Sequence, residues 1–435
     1  MVSGLGPNGV AAALELFNRG YRVMVVEKRQ RFTRPIHLHL RETYLNDIRR
    51  LSPELYKRLM AIATPILENS RLAGQASDPV PNHIQDRRAT PRRGQPCPVW
   101  SRLSSPPQRH VRLDKTESLY YEYLKSLAAA PSSSLSIRRG SVLCLEPADD
   151  GYYRVVLQHG MAGETESLGV PDLVVIAEGG KSASVRQLAL ESMRFSYPKY
   201  FMSAHIPVPF GPRTRRLDTN VEELVEGTEV ASTEVSLWAS GHGDSDEGTW
   251  VVIEVPEALL NQPSERAEEY FVKGAMLLMS ESETTFSAQQ LRRRIRATLD
   301  KGALLSRKRG SNLRGMDAAA KSPFAGTFKF EQQCLRYPAA GKNVVILGDA
   351  AGMGHHALSS GLEMGAHDLG ALGVLCEELA QAKDPEDCIK TYAESVFDSR
   401  LKLLGLGMSE YYPDSATGRL KMLQRAAELF AEEST

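Results

Sequence analysis

Glycines at positions 4, 6 and 9 make a G-x-G-x-x-G run, Gly4-Leu5-Gly6-Pro7-Asn8-Gly9, followed by a helix-forming stretch from Val10 to Phe17 that Gly20 should end. Tyr21 to Val26 then reads as a buried parallel strand closing on Glu27, with Lys28 next. Each residue type has a task in that order. Gly4 permits a tight strand-to-helix turn, and Gly6 lets the backbone approach a pyrophosphate. Gly9 lets helix and strand pack closely, while the helix N-terminus faces the phosphates. Pro7 and Asn8 lie inside the same turn and join the candidate contacts. Glu27, 23 residues beyond Gly4, suits a ribose 2′-hydroxyl and would repel a 2′-phosphate. The chemistry is therefore the binding of the adenosine half of FAD or NAD, not NADP. Only three residues precede Gly4, where a strand usually has about five or six. Either the strand is clipped or the chain starts further upstream.

Two later segments have the same strand-to-turn character. Leu173-Val174-Val175-Ile176-Ala177 runs into Glu178-Gly179-Gly180, with Arg186 shortly after. Val344-Val345-Ile346-Leu347 runs into Gly348-Asp349-Ala350-Ala351, and a helix is expected from about Ser360 through Glu378. In this order the three segments resemble the class A flavoprotein monooxygenases, whose fold is that of p-hydroxybenzoate hydroxylase. The resemblance covers the cofactor domain and not the substrate domain. It implies FAD as the cofactor, held also by Glu178 and Gly179 at the middle turn and by Gly348 and Asp349 at the late one. Asp349 would hydrogen-bond the ribityl chain. The backbone at Gly361 and Leu362, at a helix N-terminus, would stabilise negative charge on the flavin N1–C2=O edge.

The departures from that family are specific. Gly352 stands where His is usual, His356 where Pro is, Glu363 where Asn is frequent, and Glu178 replaces Asp. Arg186 comes one residue late. His355 and His356 fall beside the reactive flavin edge in this reading, as substrate contacts or proton donors; the alternative is a pair of solvated loop histidines. Gly352-Met353-Gly354-His355-His356-Ala357 imitates a second dinucleotide motif, but Gly348 to Ala351 separate it from its strand, so it reads as a flavin loop. A narrower stretch, Glu27 to Arg34 with Leu38-His39-Leu40, then Asn46-Asp47-Ile48-Arg49 with Leu51, is similar to the MICAL monooxygenases, which oxidise protein methionine and consume NADPH. The actin substrate is not carried over. Arg34 and Arg41 are candidates to touch FAD phosphates or the adenine edge, set against a plain solvated charge run.

These residues need a scaffold, and the whole chain supplies one of ordinary soluble composition. Its 435 residues suggest two packed domains. Fifty-three basic against fifty-three acidic residues argue against a nucleic-acid binder. Five scattered cysteines without a C-x-x-C pair fit neither a disulfide framework nor a zinc site, so no metal is expected and a reducing, cytoplasmic setting is. No apolar run is long enough for a transmembrane segment.

The fold class expected is α/β. A discontinuous, Rossmann-like FAD-binding domain would comprise 1–75, 108–190 and 330–400. A second, α+β substrate domain, 191–329, would carry a mostly antiparallel sheet, with strands at Ser203–Val208, Glu234–Ala239 and Thr249–Val255. Leu259–Ser280 and Gln289–Leu299 should be helices, and Arg292, Arg293, Arg294 and Arg296 read as a solvated face. Phe201, Trp238 and Trp250 are pocket candidates or plain core. Residues 76–107 form a Pro/Arg-rich insertion, a mobile loop or a basic lid. The 401–435 segment reads as helical, covering the cofactor domain or forming a homodimer contact.

The function these readings imply is an FAD-dependent monooxygenase (hydroxylase). NAD(P)H would reduce FAD, O₂ would add at flavin C4a, and the resulting hydroperoxide would insert one oxygen atom into a small organic substrate. The rivals are a flavin dehydrogenase or reductase of the same fold, and a non-catalytic interaction protein built on it. A halogenase is disfavoured because no W-x-W-x-I-P stretch occurs.

Overall fold

A computed structural model describes residues 1–33, 37–65, 109–159, 163–208, 214–220, 234–241, 248–256, 259, 264–279, 286–302, 325–353 and 360–411. Short runs, β-branched and fully buried in the central strands, build a six-stranded sheet. Its order is Ala339–Ala340, Val344–Ile346, Val174–Ile176, Val2–Ser3, Val23–Glu27, Leu135–Arg139. Every pairing is parallel except that of the Ala339–Ala340 edge. The first strand thus sits inside the sheet, flanked by the second on one side and by the middle segment on the other. Val174, Val175, Ile176, Val344, Val345 and Ile346 are all fully buried, as strands covered by helices on both faces must be.

This order puts the carboxyl ends of three strands side by side: Ser3-Gly4, Ile176 to Glu178, and Ile346 to Gly348. In open parallel sheets that is where ligands bind. The helix Pro7–Asn18 leaves the first strand there. Its small residues Ala11, Ala12 and Ala13 are buried, which lets the sheet and the long helix Ser360–Ala380 both come close.

The second domain is antiparallel throughout. Its sheet runs Thr214–Asn220, Glu234–Gly241, Thr249–Val255, Ser192–Ile206, Ala325–Leu335, Gly352–Met353. Helices Ser264–Met279 and Ala288–Gly302 pack on one face, against Met202, Ala204, Ile206, Val251 and Ile253. By strand alternation Phe201, Ser203, His205, Trp250, Val252 and Glu254 belong to the other face.

Two differences from the sequence reading have a physical reason. The strand expected at 203–208 is the end of a much longer one, Ser192–Ile206, whose register shifts between Ser196 and Tyr200 and so breaks the alternation that marks a strand. The antiparallel sheet also extends past 329 to Leu335 and takes Gly352–Met353 as its edge. A two-residue strand has no periodicity to read. The helices expected at 259–280, 289–299 and 360–378 are observed as Ser264–Met279, Ala288–Gly302 and Ser360–Ala380. The final described helix, Pro385–Tyr411, crosses the expected boundary at 400 without interruption. The 76–107 insertion and residues 412–435 lie outside the described residues. No helix among the described residues is long and apolar enough to cross a membrane, and Cys144, Cys334, Cys376 and Cys388 are free thiols.

Candidate cofactor and active site

The three glycines of the first turn are required for different reasons. A Cβ on Gly4 (φ +98°) would lie 2.4 Å from the Ala177 carbonyl oxygen, and one on Gly9 would lie 2.1 Å from that of Gly4. The chain itself therefore demands both. A Cβ on Gly6 would meet nothing nearer than Glu117 Oε1, at 4.0 Å. The middle glycine faces open space, as a backbone must if it is to admit another molecule. Gly6 also caps the helix Pro7–Asn18 without any side-chain capping bond, and the first helical turn carries no acidic residue. The first-turn amides of this helix thus lack a side-chain cap of their own.

Asn8 faces the other way. A Cβ on Gly348 would come within 2.6 Å of the Asn8 side chain, and one on Gly365 within 2.1 Å. Asn8 is the wedge that joins the N-terminal turn to the late Gly-Asp segment and to the helix after it.

Glu27 closes the second strand and is 2% exposed. Its Oε2 accepts from the Leu5 amide at 2.9 Å and from Arg29 Nη2 at 2.9 Å. Its Oε1 accepts from the Arg29 amide at 2.8 Å and from Arg29 Nε at 3.0 Å. Burial alone would raise the carboxyl's pKa, but Arg29 and the two amides outweigh it and hold Glu27 below the ordinary value. Arg29 also reaches Glu117 Oε1 at 2.8 Å, and Glu117 is fully buried. Four hydrogen bonds nearly exhaust a carboxylate, and three of them come from Arg29. Glu117 offers Arg29 its second seat. Lys28 is exposed just beyond the strand.

Arg41 is 7% exposed at the N-terminal boundary of helix Glu42–Leu51. His39, two residues earlier, has its pKa lowered to about 4 by burial and by the Arg41 charge. Arg34 lies outside the described residues.

At the middle turn, Glu178 accepts from Ser3 Oγ at 2.6 Å, Ser182 Oγ at 2.7 Å and Ser184 Oγ at 2.8 Å. Its carboxylate is thus a strut between the first strand and the short helix Ala183–Gln187. Gly179 beside it has open space around it.

At the late turn, Gly348 (φ +63°) donates its amide to Asp368 Oδ2 at 2.7 Å. Asp349 is exposed while Gly348, Ala350, Ala351 and Gly352 are buried. A Cβ on Gly361 would lie 3.1 Å from Asp349 Oδ1, so Asp349 stands against the first turn of helix Ser360–Ala380. Leu362 is half-buried there, and Glu363 is buried. His355 and His356 lie outside the described residues.

Gly6, Glu27 and Asp349 therefore belong to one continuous region. Leu5 ties the first turn to Glu27, and Asn8 ties it to Gly348. Along this region lie bare backbone at one helix N-terminus, a carboxylate near it, and an exposed aspartate against the first turn of a second helix. The described residues fit FAD.

No protein-family model matches the sequence, and no curated protein matches it. Solved structures do, along most of their length. A probable FAD-dependent monooxygenase from Pseudomonas aeruginosa, PqsL, shares 15% identity at a TM-score of 0.57, over 97% of this chain and 98% of its own. The flavin-dependent brominase Bmp2 shares 13% at 0.57, over 99% and 98%. A flavoprotein/dehydrogenase from Cytophaga hutchinsonii shares 13% at 0.57, over 95% and 86%. The fold is the one these flavoproteins share. At equal similarity their descriptions differ in reaction, so the likeness establishes architecture and leaves the chemistry to the site.

The second domain contributes the facing wall. His205, on the sheet face away from the helices, has its pKa lowered to about 4 by burial, with the Arg112 charge adding to the shift and Asp114 opposing it. Arg112 and Asp114 stand at the start of the cofactor-domain helix Leu113–Ala128, so this sheet face looks onto the cofactor domain. Phe201, Val252 and Glu254 share it and are buried; Trp250 is half-buried. Trp238 lies in the adjacent strand, paired with Val252.

Arg29, Glu117 and Arg400 (below) were not among the sequence candidates. Two of them carried a legible signal. Glu117 shares a helical face with the buried Leu113, Thr116, Tyr120 and Leu124. Arg400 continues the buried stripe of Ile389, Tyr392, Ala393 and Val396. A charge on an apolar stripe implies a buried partner. Arg29 had no such mark.

Proposed function

We propose that this protein binds FAD across the carboxyl ends of the parallel sheet and is an oxidoreductase, a monooxygenase that uses NAD(P)H and O₂ to place one oxygen atom on a small organic substrate in the cytoplasm. The observation that carries this reading is the convergence of three sequence-distant turns on one track, with bare backbone at Gly6 and an exposed Asp349. When bound, FAD supplies hydride acceptance and oxygen activation at C4a.

The chain's own residues divide the remaining work. Gly6 and the amides after it hold the pyrophosphate, with Arg41 a candidate contact to the phosphates or the adenine edge. Glu27 takes the ribose in exchange for one Arg29 bond. Asp349 orients the ribityl chain, and the amides at Gly361 and Leu362 offset negative charge on the ring edge. Phe201, Trp250 and Val252 exclude water, and His205, neutral at physiological pH, offers the substrate a donor or acceptor. Gly352 and Glu363, at positions where the class A monooxygenases carry other residues, favour a second reading, a non-catalytic interaction protein built on the same fold.

Purified protein is expected to be yellow, to oxidise NAD(P)H faster with its substrate present, and to carry label from heavy-oxygen gas into the product. Colourless protein that FAD cannot reconstitute overturns the proposal. A yellow protein that oxidises substrate without incorporating the label supports a flavin dehydrogenase of the same fold instead.

A further inference from the structure

Helices Ser360–Ala380 and Pro385–Tyr411 face one another behind the late turn. Between them lies a buried ion pair, Arg400 with Asp368. Arg400 is 1% exposed and Asp368 is fully buried. Arg400 Nη2 donates to the Gly348 carbonyl at 2.8 Å and to Asp368 Oδ2. Nη1 donates to the Gly352 carbonyl at 2.7 Å and touches Met364 Sδ at 3.4 Å. Asp368 Oδ2 in turn accepts the Gly348 amide at 2.7 Å. One guanidinium therefore grips both ends of the Gly348–Gly352 loop, and Gly348 is held through its N–H and its C=O together. Eight residues earlier on the same helix, Tyr392 Oη donates to the Ile346 carbonyl at 3.0 Å and holds the end of the strand that feeds this loop.

We propose that Arg400 is a positioning residue for the cofactor site: by clamping the Gly348–Gly352 loop it sets where Asp349 stands against bound flavin and where the Gly352–Met353 edge strand joins the substrate sheet. The inference rests on the FAD reading above. Three features support it. Asp349 is the exposed residue inside an otherwise buried loop, so the loop's position is the position of that carboxylate. Gly352, at the far end of the grip, pairs with Cys334 of the second-domain sheet, so one side chain sets both walls. A buried ion pair is a poor stabiliser compared with apolar side chains of similar volume. Its distinctive gain is directional bonds to the loop. Lysine cannot replace it, because a single ammonium lacks the planar fork that reaches Gly348 and Gly352 at once.

The test compares Arg400→Lys and the double variant Arg400→Met/Asp368→Asn, which leaves no buried charge and keeps an acceptor for the Gly348 amide. Four quantities are measured: the melting temperature of FAD-free protein, hydrogen exchange over residues 344–353 in that same protein, the Kd for FAD, and the visible spectrum of bound flavin. Both variants are expected to melt within a few degrees of the parent. Exchange over 344–353 should rise, the Kd for FAD should weaken about ten- to a hundredfold, as when support behind a binding residue is lost, and the flavin bands should shift. Variants whose exchange, Kd and spectrum match the parent would overturn the clamp while leaving the flavin site standing. A parent protein that takes up no FAD would bring down the FAD reading and this inference together.

Discussion

The first turn and the late turn stand at neighbouring strand ends, yet they are specified in opposite ways. Gly4 to Gly9 is held by backbone packed on backbone, Gly9 against the Gly4 carbonyl and Gly4 against that of Ala177, with Gly4 donating to Val26 across one strand at 2.8 Å. Gly348 to Gly352 is held by a side chain 52 residues from Gly348. A cradle for phosphates needs only bare amides, which glycines provide locally. On the FAD reading, an aspartate that must meet one hydroxyl of a ribityl chain needs its loop fixed in three dimensions, and a short loop has too few internal bonds to do that.

The largest expected effect breaks the late turn alone. Arg400→Ala should destabilise the protein by about 3–5 kcal/mol, because Asp368 is left as a buried charge with one amide donor; urea unfolding would measure it. A loss below about 1 kcal/mol would mean the loop does not depend on the pair. The first turn should fail by overpacking instead. Gly9→Ala puts a methyl 2.1 Å from the Gly4 carbonyl and should cost about 1–3 kcal/mol, more if the helix cannot shift.

Acid sharpens the contrast in the flanking elements. His39 and His205, both lowered to about 4 from 6.5, stay neutral in the folded protein while the unfolded chain takes up protons. Stability is therefore full above 6.5 and falls as pH drops from 6.5 towards 4. Discounted for their partial exposure, the pair should account for about 2 kcal/mol. Glu27 acts at lower pH: its depressed pKa gives stability above the unfolded value that is lost only as pH falls through the folded one. Comparing urea midpoints near pH 7 and pH 4.5 should show the histidine loss, and His39→Gln should remove its share; an unchanged pH dependence would refute this assignment.

The smallest effect on stability is the sharpest on function. Gly6→Ala should fold within about 0.5 kcal/mol of the parent, since its methyl meets open space, yet weaken FAD about tenfold or more by occupying the approach to the pyrophosphate. Equal losses of stability in Gly6→Ala and Gly9→Ala would erase the distinction between the two glycines.

Much of this was legible beforehand because it is local. Runs such as Val174-Val175-Ile176 and Val344-Val345-Ile346 announce buried strands, and a glycine spacing announces a turn. The alternation at Thr249–Val255 marked the antiparallel sheet, whereas the register shift near Ser196 hid most of its longest strand. At the site, Gly6 and Asp349 were readable as types in context. Glu178 was readable as a carboxylate at the right turn, but its three serine partners were not, since Ser3 lies 175 residues away in the chain. Glu27 was readable too, while its saturation by Arg29 was not, because nothing in the order of residues states which way a guanidinium will fold back.

What the order of amino acids determined by itself is the set of parts: strands, turns, bare amides and carboxylates, all governed by sterics and hydropathy over a handful of neighbours. The tertiary structure alone decided how those parts meet. It made Asn8 the wedge against Gly348, turned the His205 face of the second sheet towards Arg112, and brought Arg400 across two helices to grip the late loop. Such contacts depend on segments far apart in the chain packing at one depth, and only the closed core sets that depth.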